Sequence, residues 1–498
     1  MKIRSCVLCV AMIALAACSS SKSNSAPKSA TTTPAPTVST LPRPAGPAAT
    51  LTPLSGGNGV FIGEGTKDNL ASIGYAETEF AAAGTATAYK MNGAPTADGR
   101  WTFIPNGTAP YKTRVLVRAP SDPAKFSGNV VFEWLNVSGG VDANPDWTSL
   151  KEEIVRAGDA WVGVSAQFIG VEGGPVLVKV NVPGSEAAGK GLKKIDPARY
   201  GTLHHPGDGF AYDIYTQVAR AIRAGNGMSG LKPQRLLATG ESQSAFALVS
   251  YFNGVQPLTH AFDGFFIHSR GAVGLPLVGA GESSNIANAI SGTATIFRTD
   301  QTAPIMDIQT ETDVASILNS YAARQPDSAH FRLWEVAGTA HADAHLVGDS
   351  AKLMNCGLPI NDGAMHIVAK AALRALTTWV TTGQAPVIAP RLDVVANPKP
   401  TVQRDADAIA LGGIRTPPVD VPVAALSGAP GPNPSTICLL LGSSKPFTAE
   451  RLAQLYTSRA EYLQKFTAAT DATIKAGFAL PEDRAALLAF AEPTRIAG

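Results

Sequence analysis

From about residue 114 the chain is patterned as short apolar runs rich in β-branched residues. They are separated by stretches whose apolar positions recur with a helical period. The runs Val115–Val117, Asn129–Leu135, Asp159–Ser165, Arg235–Thr239, Phe262–Ile267, Ala303–Gln309 and His330–Val336 predict strands. Asp146–Arg156, Phe210–Ala224 and Gln243–Asn253 predict intervening helices, and Met365–Thr382 a helix that closes the unit. Apolar strands interleaved with amphipathic helices imply an α/β fold, a mostly parallel sheet with helices on both faces. The mixed pattern from Leu51 to Ala119 predicts antiparallel strands at the sheet edge. Glycine-rich stretches at about 167–207 and 271–300 break the pattern and read as lid-type insertions. The core is thus expected over residues 51–388. Residues 389–498 form a C-terminal extension packed on it, Pro-rich at first and ending in helical patterns near Thr448–Lys465 and Leu480–Ala491.

The first fifty residues carry a different signal. Lys2 and Arg4 precede an apolar run from Cys6 to Ala17, the layout of a secretory signal over residues 1–17 and too short for a membrane span. It ends in Leu15-Ala16-Ala17-Cys18, which resembles a bacterial lipobox. That resemblance implies cleavage before Cys18, a lipid on its sulfur, and anchoring at the extracytoplasmic face of the cell membrane. Residues 18–50, dominated by Ser, Thr, Pro and Ala with no acidic residue, read as a disordered tether. Once the leader and Cys18 are set aside, Cys356 and Cys438 remain. In an oxidising compartment they are candidates for a disulfide, the alternative being two buried thiols.

Composition narrows the partners. Lys and Arg total 41 against 39 Asp and Glu, so the net charge of +2 offers no basic surplus for nucleic acid. Nothing in the sequence sets the oligomeric state.

The candidate chemistry sits at Gly240-Glu241-Ser242-Gln243-Ser244, between a predicted strand and a predicted helix. A serine in such a strand–turn–helix is presented on a sharp bend with the helix amino end behind it. Ser242 is therefore the candidate nucleophile, and the Gln243 N–H a candidate oxyanion donor. A serine needs a base, and a base needs an orienting acid. His341 lies in a small-residue loop after a strand. His345 is its rival, and the two could share a helix face to bind metal, but no third ligand has a matching spacing. His204, His205, His260, His268 and His330 read more simply as structural or pocket-lining. The strand Ala303–Gln309 leads into Glu311 and Asp313. Asp313 is the preferred acid, with room for a helix and a strand before His341, and Glu311 is the alternative. The strand Asn129–Leu135 runs into Asn136-Val137-Ser138-Gly139-Gly140, so the second oxyanion donor is expected from the N–H of Asn136 or Val137, or from the Asn136 side chain.

The segments WLNVSGG, DPARYG, HPGD, GESQSAFAL, QTETD and GTAHAD, in this order, resemble the α/β-hydrolase superfamily. More narrowly they are similar to a group of bacterial α/β-hydrolase-domain lipoproteins. The resemblance runs from about residue 55 to the C-terminus. Ser244 stands where the wider superfamily has Gly. The resemblance implies an α/β-hydrolase fold and a serine esterase acting on a small-molecule carboxylic ester without cofactor or metal. It further implies Ser242 as nucleophile, His341 as base, and Asp313 or Glu311 as acid. An amidase, an acyltransferase or a non-catalytic binding lipoprotein would share this framework.

Overall fold

The computed structural model describes residues 43–63, 68–179, 185–433 and 435–497. The leader, Cys18 and the tether as far as residue 42 lie outside the described residues, so the lipidation expectation has no structural counterpart.

Nine strands form one sheet. In chain order they are β1 Thr50–Pro53, β2 Tyr75–Met91, β3 Phe103–Pro120, β4 Asn129–Trp134, β5 Ala160–Val164, β6 Arg235–Glu241, β7 Gly264–His268, β8 Ile305–Thr310 and β9 Phe331–Val336. Their order across the sheet is β1-β2-β3-β5-β4-β6-β7-β8-β9. The pairs β1/β2, β2/β3 and β3/β5 are antiparallel, and every pair from β5 to β9 is parallel. β4 shows why the parallel half reads as unbroken apolar runs. Val130, Phe132 and Trp134 face one apolar layer with the helices Ala211–Arg223 and Gln243–Ser250. Val131 faces another with the helices Pro145–Ala157 and Met365–Thr382. A strand buried on both faces has no polar side to alternate.

The antiparallel half is larger than the sequence pattern suggested. Only Val115–Val117 stood out there, yet β2 and β3 run for 17 and 18 residues as a long hairpin. Their Ala, Thr, Gly and Lys positions carry little strand signal of their own, and mutual pairing supplies what propensity does not. The body also begins earlier than residue 51. Ala49 is buried, its N–H donates to the Gln217 carbonyl, and Thr50 already pairs with Ala83. The tether boundary at residue 50 is corrected accordingly. The predicted helix Gln243–Asn253 is α-helical only to Ser250 and continues as a π turn over Tyr251–Val255.

The C-terminal extension packs on the core and completes its edge. Ile414 bridges Val336 of β9: its N–H donates to the Glu335 carbonyl at 2.7 Å, and its carbonyl accepts from Ala337 N–H at 2.9 Å. Its own short ladders, Val394–Val395 with Thr401–Val402 and Ala424–Ser427 with Ser443–Pro446, build a smaller apolar cluster around Val314, Ala337 and Val419. A disulfide joins Cys356 to Cys438, with Cα atoms 5.5 Å apart, and fastens the loop beyond His341 to this extension. No helix among the described residues is long and apolar enough to cross a membrane.

Candidate active site

The site lies at the carboxyl ends of β6, β8 and β9. β6 ends at Glu241, and the chain turns at Ser242 with φ 57° and ψ −123° into the helix that starts at Gln243. A non-glycine residue in that region is strained and persists only where its surroundings over-determine it. Here the Ser242 N–H donates to the His268 carbonyl at the end of β7 (3.0 Å), and its carbonyl accepts from Phe246 N–H (3.1 Å). The turn also explains the small residues beside it. A Cβ on Gly240 would stand 2.8 Å from Ser244 Cβ and 2.9 Å from the Ser244 carbonyl carbon. Glycine at 240 is thus required, and it leaves room for serine at 244.

Ser242, His341 and Asp313 meet. The Ser242 hydroxyl lies 2.8 Å from His341 Nε2, and His341 Nδ1 lies 2.6 Å from Asp313 Oδ1. The far oxygen of Asp313 accepts from the N–H and the hydroxyl of Thr310, at 2.7 and 2.8 Å. Thr310 caps the short helix Glu311–Ala315 and in turn accepts from Asp313 N–H, a capping box that fixes the carboxylate.

Glu311, the alternative acid, is placed elsewhere. It accepts from Gly338 N–H at 2.6 Å, from Arg404 at 2.6 Å and from Gly428 N–H at 2.9 Å. It clamps the loop carrying His341 to the C-terminal extension and has no bond to the imidazole. His345 is also remote from the serine. Its Nε2–H donates to the Thr148 carbonyl at 3.2 Å and its ring stacks on His366 at 3.7 Å, in the wall of a separate cavity of about 800 Å³ that no residue of the Ser242–His341–Asp313 set lines. Among the described residues no cluster of three or more His, Cys, Asp or Glu is arranged to hold a metal ion.

The candidate oxyanion donors separate. Asn136 N–H donates to the Ala143 carbonyl (2.9 Å), and its side-chain amide donates to the Glu241 carbonyl (3.0 Å). Both Asn136 donors are therefore engaged, which corrects that part of the expectation. The N–H groups of Val137 and Gln243 have no acceptor among the described hydrogen bonds, Gln243 because it opens a helix. Ser138 joins the two loops, its hydroxyl donating to Gln243 Oε1 at 3.0 Å. The insertion after β5 is stitched to the same loop, since Leu177 and Val178 N–H donate to the Ser138 carbonyl.

A second set of buried ionisable groups, which the sequence pattern does not mark, lies under the serine. Glu241 Oε1 lies 3.3 Å from His341 Nε2. Its ladder partner His268 holds Asp146 through Nδ1 at 2.9 Å. Asp146 accepts from Thr239 at 2.5 Å, and its backbone N–H donates to Glu133. Burial pushes the Glu241 carboxyl up to about 7, against the pull of His341 and His268. Burial by itself would lower His341, but Glu241 and then Asp313 outweigh it and push the imidazole up to about 9. The available signal was a carboxylate next to the candidate nucleophile, at the end of an otherwise apolar strand.

A family model described as an alpha/beta hydrolase domain matches residues 45–489, most of the chain. The chain belongs to this family. Solved structures similar to this α/β hydrolase include an α/β serine hydrolase of Xanthomonas campestris, at 13% identity over 58% of this chain and 94% of that one, with a TM-score of 0.28. A fungal esterase of Rhizomucor miehei is 11% identical over 60% and 86%, with a TM-score of 0.31. A glucuronoyl esterase of Solibacter usitatus is 12% identical over 47% and 55%, with a TM-score of 0.23. No curated protein matches the hydrolase sequence.

Proposed function

We propose that the protein is a serine hydrolase that cleaves a carboxylic ester through an acyl-enzyme on Ser242. The observation that carries this reading is the unbroken line from the Ser242 hydroxyl through His341 to Asp313, at 2.8 and 2.6 Å. His341 takes the Ser242 proton at Nε2 as the oxygen attacks the carbonyl carbon, and Asp313 holds the ring and stabilises its charged form. The carbonyl electron pair moves onto oxygen, where the N–H groups of Val137 and Gln243 stand as donors. The imidazolium then gives its proton to the departing alcohol, and water repeats the cycle on the acyl group. Arms of the same site that hydrolyse amides, or pass the acyl group to another acceptor, would need only a different leaving group or nucleophile.

The leader motif supports a lipid anchor on Cys18 at the extracytoplasmic face, and the bonded pair Cys356–Cys438 suits an oxidising compartment. A fluorophosphonate probe is expected to label the wild-type protein and not Ser242→Ala. A p-nitrophenyl ester series of increasing acyl length is expected to turn over. A folded wild-type protein that neither labels nor hydrolyses would overturn the proposal. Metabolic labelling with an alkyne fatty acid, lost in Cys18→Ala, tests the anchor.

A further inference from the structure

We propose that Glu241 is a second carboxylate for His341: it receives the Nε2–H of the imidazolium formed when Ser242 gives up its proton, so that the charged ring is held at both nitrogens, and it thereby sets the pH range in which Ser242 is armed. This rests on the reading of Ser242 as nucleophile.

The geometry is specific. His341 Nε2 has two oxygens within reach, Ser242 Oγ at 2.8 Å and Glu241 Oε1 at 3.3 Å, while Nδ1 is held by Asp313. With the ring neutral, the nearer serine hydroxyl donates to the Nε2 lone pair. Acylation changes the competition. The Ser242 O–H bond breaks and its proton goes to Nε2. The oxygen pair becomes the bond to the acyl carbon, and the proton finally leaves with the alcohol. No oxidant, reductant or co-reactant enters. In the tetrahedral adduct Oγ is bonded to carbon and is a weak acceptor, and Glu241 is the remaining internal partner for the Nε2–H until the departing alcohol takes the proton. A buried carboxylate there lowers the energy of the charged ring in the transition state and keeps the ring from turning away. The cost is that the resting ring is harder to deprotonate, so a neutral base requires a higher pH.

Glu241 is held in place for this role. It is buried at the end of β6, its carbonyl accepts from the Asn136 side chain at 3.0 Å, and that amide also lies 3.4 Å from Glu241 Oε2. The charged and titratable groups that face it are His341 from the loop after β9, Asp313 from the short helix Glu311–Ala315 after β8, His268 from the end of β7, and Asp146 from the helix Pro145–Ala157. His268 is tied to Asp146 at 2.9 Å, so two Asp–His pairs flank one glutamate. Glu241 acts through His341, which makes it a positioning residue.

The test combines kinetics with a direct titration. In wild-type protein the downfield Nδ1–H proton resonance of His341 is expected to change with a midpoint near 9. In Glu241→Gln the midpoint should move about one pH unit or more toward acid, and the acid limb of kcat/KM for a p-nitrophenyl ester should move with it. A wild-type midpoint near that of free histidine, or the same midpoint in both proteins, overturns the proposal. If Glu241→Gln does not fold, Glu241→Asp, whose shorter carboxylate stands back from Nε2, takes its place, and an unmoved midpoint in it overturns the proposal in the same way. Absence of fluorophosphonate labelling with a titration that still shifts would instead sink the hydrolase reading while leaving the Glu241–His341 coupling standing.

Discussion

Glu311 Oε1 accepts a 2.6 Å hydrogen bond from the N–H of Gly338, three residues before His341. Through its other oxygen the same carboxylate holds Arg404 and Gly428 of the C-terminal extension. Glu311 and Asp313 lie two residues apart and divide the labour, one fixing the loop that carries His341 and the other binding its imidazole. Removing either should therefore give different signatures.

Glu311→Ala leaves two buried N–H groups and a guanidinium without their acceptor. It should cost about 3 kcal/mol of stability, with activity falling as the loop loosens. A urea melt and ester turnover on the same samples would check it. Loss of activity at unchanged stability would contradict the clamp.

Asp313→Asn should show the reverse pattern. The isosteric amide keeps the packing but favours the wrong imidazole tautomer, and kcat should fall by roughly 10⁴-fold at near wild-type stability. Residual turnover close to wild type in Asp313→Asn, together with its loss in Glu311→Gln, would transfer the role to Glu311.

The turn at Ser242 responds asymmetrically to change at its two small neighbours. Gly240→Ala pushes a methyl to 2.8 Å from Ser244 Cβ and against its backbone, and should cost about 1–3 kcal/mol. Ser244 Oγ, by contrast, is buried with no hydrogen-bond partner among the described residues. Removing it in Ser244→Ala should leave stability unchanged or raise it slightly. Thermal melting of the two variants separates these outcomes.

Stability should also register the protonation of His341. Its folded pKa is raised, from the ordinary 6.5 to about 9. The folded state then binds the proton more tightly than the unfolded one. The stabilisation is complete below about 6.5 and is lost as pH rises through about 9. Wild type should lose stability relative to His341→Gln between pH 7 and 9, measured as the difference in urea midpoints. A constant difference would mean that the ring is not charged in the folded protein.

The Cys356–Cys438 bond spans 82 residues. Closing a loop of that size removes enough unfolded-state entropy to contribute up to about 4.5 kcal/mol. Reduction, or a double Cys→Ala change, should lower the melting temperature. An unchanged melt after confirmed reduction would assign the bond no stabilising role.

The parallel half of the fold was legible because burial on both faces writes itself as uninterrupted apolar runs, and all six strands from β4 to β9 lie where those runs are. The long hairpin β2–β3 was legible only as mixed strand, because alanine and threonine owe their strand conformation to the partner strand rather than to themselves. Ser242 and His341 were readable from local context, each being a reactive residue in a small-residue turn after a strand. The choice between Asp313 and Glu311 was not, because both carboxylates precede the same loop and only the tertiary position of Gly428 and Arg404 separates them. Asn136 was misjudged for a related reason: its hydrogen-bond partners, Ala143 and the Glu241 carbonyl, are brought to it by the fold. His268 and Asp146 are 122 residues apart in sequence and meet only when β7 lies beside the helix Pro145–Ala157.

The bridge from Ile414 to Val336 lies five residues before His341, and Glu311 waits nearby for Arg404 and Gly428. Synthesis proceeds from the amino end, so Ser242, Asp313 and His341 all leave the ribosome before the segment that steadies them. On this architecture a nascent chain that has emerged only as far as His341 still lacks the Arg404 and Gly428 contacts through which Glu311 holds the His341 loop.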